Sequence, residues 1–199
     1  MSLQEFQKPI RISNVPFINQ QVGQCGPATL TMALNYLGNG ISVDEVAQQV
    51  YTPGMKGSLQ TDMVTAVRRQ GLLAIPIDSL DSLLREVSKG NPVIVFENLA
   101  LSWFPQWHYA LVFGYDLSKE TVTMHSGSEK NKEWDIRKFE RSWKLGDYWG
   151  LVILPADQLS ATASELVHAN AAVGLEQVGK KEQALTAYKT MLSRWSTSL

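Results

Sequence analysis

Residues Pro92-Val93-Ile94-Val95-Phe96 form an unbroken apolar run. It is far shorter than the ~20 residues a membrane span requires. It also lacks the polar alternation of a strand with one wet face, so it reads as a strand buried on both faces. A second buried strand is expected at 108–115, where Tyr109, Leu111, Phe113 and Tyr115 alternate with Ala110, Val112 and Gly114. Residues 117–120 supply a turn, and 121–125 return as the hairpin partner. Shorter strands are expected at 73–77 and 148–154, and 134–143 reads as a short strand followed by a helix.

The N-terminal part reads differently. Pro9 and Pro16 hold residues 10–18 extended. Gly23-Gln24-Cys25-Gly26-Pro27 is a tight turn, with Pro27 suited to the first position of a helix. Leu30, Ala33, Leu34 and Leu37 fall at helical spacing over 28–37, and Gly38-Asn39-Gly40 ends that helix. Ser42 and Glu45 form a capping box for a second helix reaching about Val50. Further helices are expected at 58–70 and 79–88, stopped by Gly71 and Gly90. Helices followed by strands make an α+β domain over residues 10–155. Residues 161–199 carry no strand signal and form a helical hairpin around Gly179-Lys180-Lys181. Gly179, Ala184 and Tyr188 sit at tetratricopeptide spacing, but the Trp-Leu-Gly part of that pattern and any second repeat are missing. A single repeat cannot bury its own face. The pair therefore packs on the first domain, belongs to a longer array, or is an ordinary helical hairpin.

Composition removes several function classes. The 199 residues include one cysteine, Cys25, and three histidines, His108, His125 and His168. That excludes a disulfide framework, a CxxC redox pair and a Cys-rich zinc site, and it speaks against a multi-histidine metal site. No cofactor and no metal are expected. Lys and Arg number 18 against 19 Asp and Glu, for a net charge of −1, which argues against a nucleic-acid partner or a basic membrane patch. Met1-Ser2-Leu3 reads as an expression start on a trimmed chain, with no signal peptide visible. The expected compartment is periplasmic or extracellular if a signal was removed, and cytoplasmic otherwise.

A lone cysteine is either a small buried hydrophobe or a chemical centre. Cys25 lies at a helix start, where unpaired N–H groups favour thiolate over thiol. A nucleophilic cysteine needs a base, and His108 begins a core strand among Trp103, Trp107 and Tyr109. The bland alternatives are an inert thiol and an interfacial histidine among aromatics. Gln20, Gln21 and Gln24 closely precede Cys25 and could donate to a developing oxyanion. Cysteine on the first helix and histidine on a later central strand is the chain order of papain-like hydrolases.

Two blocks carry a closer resemblance. Val15-Pro16-Phe17-Ile18-Asn19-Gln20, Gln24-Cys25-Gly26-Pro27-Ala28, Met32 and Tyr36-Leu37-Gly38 make up the first, and Trp107-His108-Tyr109-Ala110-Leu111-Val112-Phe113-Gly114-Tyr115-Asp116 the second. Over residues 12–155 the chain resembles the bacteriocin-processing, double-glycine-type cysteine peptidases, and more narrowly their stand-alone bacterial members with a tetratricopeptide tail. The resemblance implies a papain-like fold, a peptide or protein substrate cleaved after small residues such as Gly-Gly, and a protein partner for the C-terminal helices. It also implies Cys25 as nucleophile, His108 as general base and Gln20 as oxyanion donor, with Gln21 as fallback. Trp103 and Trp107 are candidate walls of a narrow slot. The family's third residue, an Asp, is absent, since its place reads Met124-His125-Ser126-Gly127. His125 is expected to orient His108 instead, with Asp116 the other candidate. Two rival readings are a catalytically degenerate peptide-binding module and a transglutaminase-like or amidase-like enzyme.

Overall fold

The computed structural model describes residues 8–20, 23–100, 103 and 105–196. Its centre is a seven-stranded antiparallel sheet in the order β4 (Leu73–Ile77), β9 (Gly150–Leu154), β5 (Val93–Asn98), β6 (Trp107–Asp116), β7 (Thr121–Ser126) and β8 (Glu129–Asp135). The seventh strand, β1 (Ile10–Arg11), pairs with β6 at Tyr115 and Gly114, beyond the point where Val93 ends the β5 pairing at Val112. A Cβ on Gly114 would lie 2.8 Å from Ile10 O and 3.1 Å from Thr123 Cβ, so this crowded point needs glycine.

Helices cover both faces, as the apolar run requires. On one side, α1 (Cys25–Tyr36), α2 (Val43–Val50) and α3 (Gln60–Arg69) pack Leu30, Leu34, Val46, Met63 and Val67 against Ile94, Leu111, Leu151 and Ile153. On the other, α4 (Leu80–Ser88) and α5 (Ile136–Lys144) bring Leu83, Val87, Phe139 and Trp143 onto Val93, Val95, Ala110 and Val112. Consecutive β5 residues alternate between the two cores, as strand geometry demands.

The α2 capping box is present, with the Ser42 side chain accepting from Glu45 N and Glu45 from Ser42 N. Several boundaries differ from the sequence reading, three of them near the start of α1 or at the sheet edge. Helix α1 starts at Cys25 rather than 28. The helix expected from 58 starts at Gln60, because β2 (Tyr51–Thr52) and β3 (Gly57–Ser58) form a small hairpin over a 3-10 turn, Pro53–Met55. Strand β8 begins at Glu129, five residues before the expected Trp134.

The C-terminal helices α6 (Glu165–Gln177) and α7 (Lys181–Trp195) join the α4–α5 face, where Ala171, Ala172, Leu175, Ala184 and Ala187 enter the same core as Leu73 and Ile75. A buried polar cluster ties them down. Glu86 of α4 accepts from Ser160 Oγ, Thr162 N (3.1 Å), Thr162 Oγ1 (2.9 Å) and Asn91 Nδ2 (2.8 Å). Ser160 N donates to His168 Nε2 of α6 (2.9 Å), and Arg194 of α7 donates to Ser160 O (2.7 Å).

Candidate active site

Cys25 opens α1, and its neighbour Gly26 is buried under Ser58 and the Tyr109 ring. A Cβ on Gly26 would lie 2.4 Å from Ser58 Oγ, so only glycine lets the helix start approach β3 this closely. Tyr109 fastens the same corner, donating its hydroxyl to Ser58 O (2.9 Å), while Thr29 Oγ1 donates to Tyr109 O (3.3 Å). The backbone amides of Tyr109, Gly26 and Cys25 act to favour the ionised form of the Cys25 thiol. The thiol therefore sits against β6 at the residue following His108.

His108 is half-buried at the start of β6, and its Nε2 lies 3.0 Å from Ser126 Oγ on β7. That contact engages Nε2 on the β7 side of the ring. Gln20 lies over the first turn of α1, donating from Nε2 to Thr29 Oγ1 at 3.4 Å, and its Oε1 is buried without a hydrogen-bond partner. Gln21 falls outside the described residues.

Two sequence expectations need correction. His125 does not orient His108. Its Nε2 donates toward Val15 O (3.3 Å), its Nδ1 accepts from Asn131 N (3.1 Å), and its ring packs on Phe17 and Phe113. Successive strand residues point to opposite faces, so Ser126, one position later, meets the histidine instead. Asp116 lies in the exposed turn at the far end of β6, accepting from Ser118 N (3.0 Å) and Lys119 N (3.3 Å).

Burial also acts on the charge of Cys25 and His108. Burial pushes the Cys25 thiol above its ordinary value, outweighing the amides that lower it. Burial and, less strongly, Lys132 push His108 down to about 4. Burial thus opposes charge on both groups, whereas the backbone amides at the start of α1 favour the thiolate. The helix terminus favours thiolate as expected, but desolvation is the larger effect here.

Aromatic side chains flank the site. Trp107 stacks on Phe96 with ring centroids 5.1 Å apart, and Phe96 in turn contacts Tyr109 at 4.7 Å. Trp103 is 80% exposed and Leu99 is also exposed, both on the β5–β6 side, while Met55 is exposed on the β2–β3 turn. That turn lies close to the loop preceding Cys25, since a Cβ on Gly23 would sit 3.4 Å from Lys56 O. No helix among the described residues is long and apolar enough to cross a membrane.

The sequence profile of the Peptidase_C39-like family matches residues 12–148, which takes in both motif blocks and the sheet that joins them. The chain belongs to the Peptidase_C39-like family. Solved structures give the same fold at low identity. A C39-like peptidase from Bacillus anthracis is 18% identical with a TM-score of 0.63, over 77% of this chain and 99% of that one. The peptidase domain of Streptococcus ComA, a bifunctional ABC transporter of a quorum-sensing pathway, is 19% identical with a TM-score of 0.59, over 71% and 99%. A double-glycine-motif protease from an AMS/PCAT transporter, solved with its leader peptide, is 21% identical with a TM-score of 0.55, over 74% and 97%. No curated protein matches the chain. The architecture of this C39-like chain is thus the papain-like one expected from the sequence, with helices packed on an antiparallel sheet.

Ser126 was missed in the sequence because serine in a strand is unremarkable. The available signal was strand parity, which puts 126 rather than 125 on the face of Ala110.

Proposed function

We propose that this C39-like protein is a cysteine peptidase, with Cys25 as nucleophile, His108 as general base and Gln20 as oxyanion donor. The observation that supports the reading is the pair of hydrogen bonds from Thr29 Oγ1 to Tyr109 O (3.3 Å) and from the Tyr109 hydroxyl to Ser58 O (2.9 Å), which hold the start of α1 against the strand that carries His108. His108 Nδ1 takes the thiol proton as sulfur attacks the scissile carbonyl, so no free thiolate need accumulate beforehand. The Gln20 amide and the Cys25 N–H hold the oxyanion. The imidazolium then protonates the leaving amine, and His108 activates the water that hydrolyses the thioester.

The substrate is a peptide, cleaved after small residues such as Gly-Gly. Trp103 and Trp107, exposed in and beside the β5–β6 connection, are available as apolar contacts for such a ligand. The relative solved with a leader peptide points the same way. A second reading, a degenerate cleft that binds peptide without cutting it, draws on the serine that stands at the orienting position. Incubation with peptides containing a central Gly-Gly, read by mass spectrometry, separates the two. Cleavage at one bond supports the peptidase, whereas saturable binding with every peptide intact overturns it in favour of the binding module.

A further inference from the structure

Strand β5 ends its apolar run in two polar residues, and the first of them, Glu97, is fully buried. In the β5–β6 register Glu97 stands directly opposite His108. Residues paired in this way across antiparallel strands project from the same face, with their Cβ atoms about 5 Å apart. Neither Glu97 carboxylate oxygen has a hydrogen-bond partner among the described residues. The nearby Ser142 hydroxyl of α5 donates instead to Asn98 O at 2.8 Å. A buried carboxyl whose oxygens lack hydrogen-bond partners is costly.

The surroundings of Glu97 and His108 overlap. Lys132 of β8 acts electrostatically on both, while its Nζ pairs with Glu129 at 2.7 Å and lies over the Trp134 ring at 4.8 Å. From β7 the His108 ring meets the uncharged Ser126, and from α5 Glu97 meets the uncharged Ser142. Glu97 is thus the one acid among these groups that stands in register with the histidine, and Lys132 the cation beside them.

We propose that Glu97 is a positioning residue for His108, supplying from β5 the negative charge that stabilises the imidazolium when Cys25 gives up its proton. This rests on the reading of His108 as general base. Only one proton moves, from Cys25 Sγ to His108 Nδ1, and Glu97 acts in its ionised form without exchanging a proton in the step. Burial pushes the Glu97 carboxyl up to about 7, against smaller lowering effects from Ser142 and Lys132. Below that pH Glu97 is neutral, and Lys132 and burial both oppose a charge on His108. Above it the carboxylate offsets Lys132, and His108 becomes a stronger base. The serine on β7 orients the ring, and the charge comes from the other neighbouring strand.

The test is an NMR titration of the His108 imidazole from pH 5 to 9 in the intact protein and in Glu97→Gln, paired with kcat/KM for a cleaved peptide over the same range. The wild type is expected to show an inflection of the His108 signals near pH 7 and an activity rise of about tenfold through it, one pKa unit of extra basicity being worth a factor of ten. Both features are expected to vanish in Glu97→Gln. A wild-type titration with no inflection near pH 7, or one that survives in a folded Glu97→Gln, overturns the proposal. The wild-type titration needs no variant and no substrate. If no peptide is cleaved, the peptidase reading fails while the NMR inflection still decides whether Glu97 acts on His108.

Discussion

Replacing Cys25 with alanine is expected to abolish peptide cleavage, and His108→Ala to lower kcat/KM by a comparable factor, roughly 10⁵ to 10⁶. The two losses should not add. Once the base is gone nothing takes the thiol proton, and burial favours the protonated sulfur. Removing the sulfur then costs little more, so the double variant should match the worse single variant in steady-state rates. Additive losses would show that Cys25 and His108 act on different steps or in different sites.

The second large effect is on stability. Glu86→Ala is expected to destabilise the fold by about 3 kcal/mol, because a lost acceptor leaves buried donors unsatisfied. Those donors are the Ser160 and Thr162 hydroxyls, Thr162 N and Asn91 Nδ2. For a chain of this size that corresponds to a fall of roughly 6–12 °C in melting temperature. The cluster holds the segment leading into α6 and touches both C-terminal helices through His168 and Arg194. Limited proteolysis should therefore release the C-terminal helices first. A calorimetric midpoint equal to the wild type would show that apolar contacts alone dock them.

These two effects differ in how visible they are in the sequence. The strands that carry the core announced themselves: β5 and β6 are apolar or alternate cleanly, and both faces of β5 are covered. Strand β8 did not, because Glu129-Lys130-Asn131-Lys132-Glu133 pairs with β7 on one edge while its side chains stay largely in water. The β2–β3 hairpin has two-residue strands, too short for any periodicity. Cys25, His108 and Gln20 were put forward from type, order and resemblance. The partner of His108 was not, because the choice between His125 and Ser126 turns on strand parity, and a one-residue shift exchanges the two faces. Glu97 and Glu86 were hidden for a related reason. Each sits within or beside an apolar stretch, and its significance comes from a register or a contact between elements distant along the chain.

The central claim is a covalent one, that the Cys25 sulfur carries the acyl group of the substrate. It is tested most directly by mixing the protein with a peptide ester ending in Gly-Gly, quenching in acid within the first turnovers and mapping the added mass. The account predicts a thioester adduct on the proteolytic fragment that contains Cys25, formed in step with alcohol release and absent from Cys25→Ala. Hydrolysis of the ester by Cys25→Ala at the wild-type rate, or turnover with the acyl mass on a different residue, would contradict it.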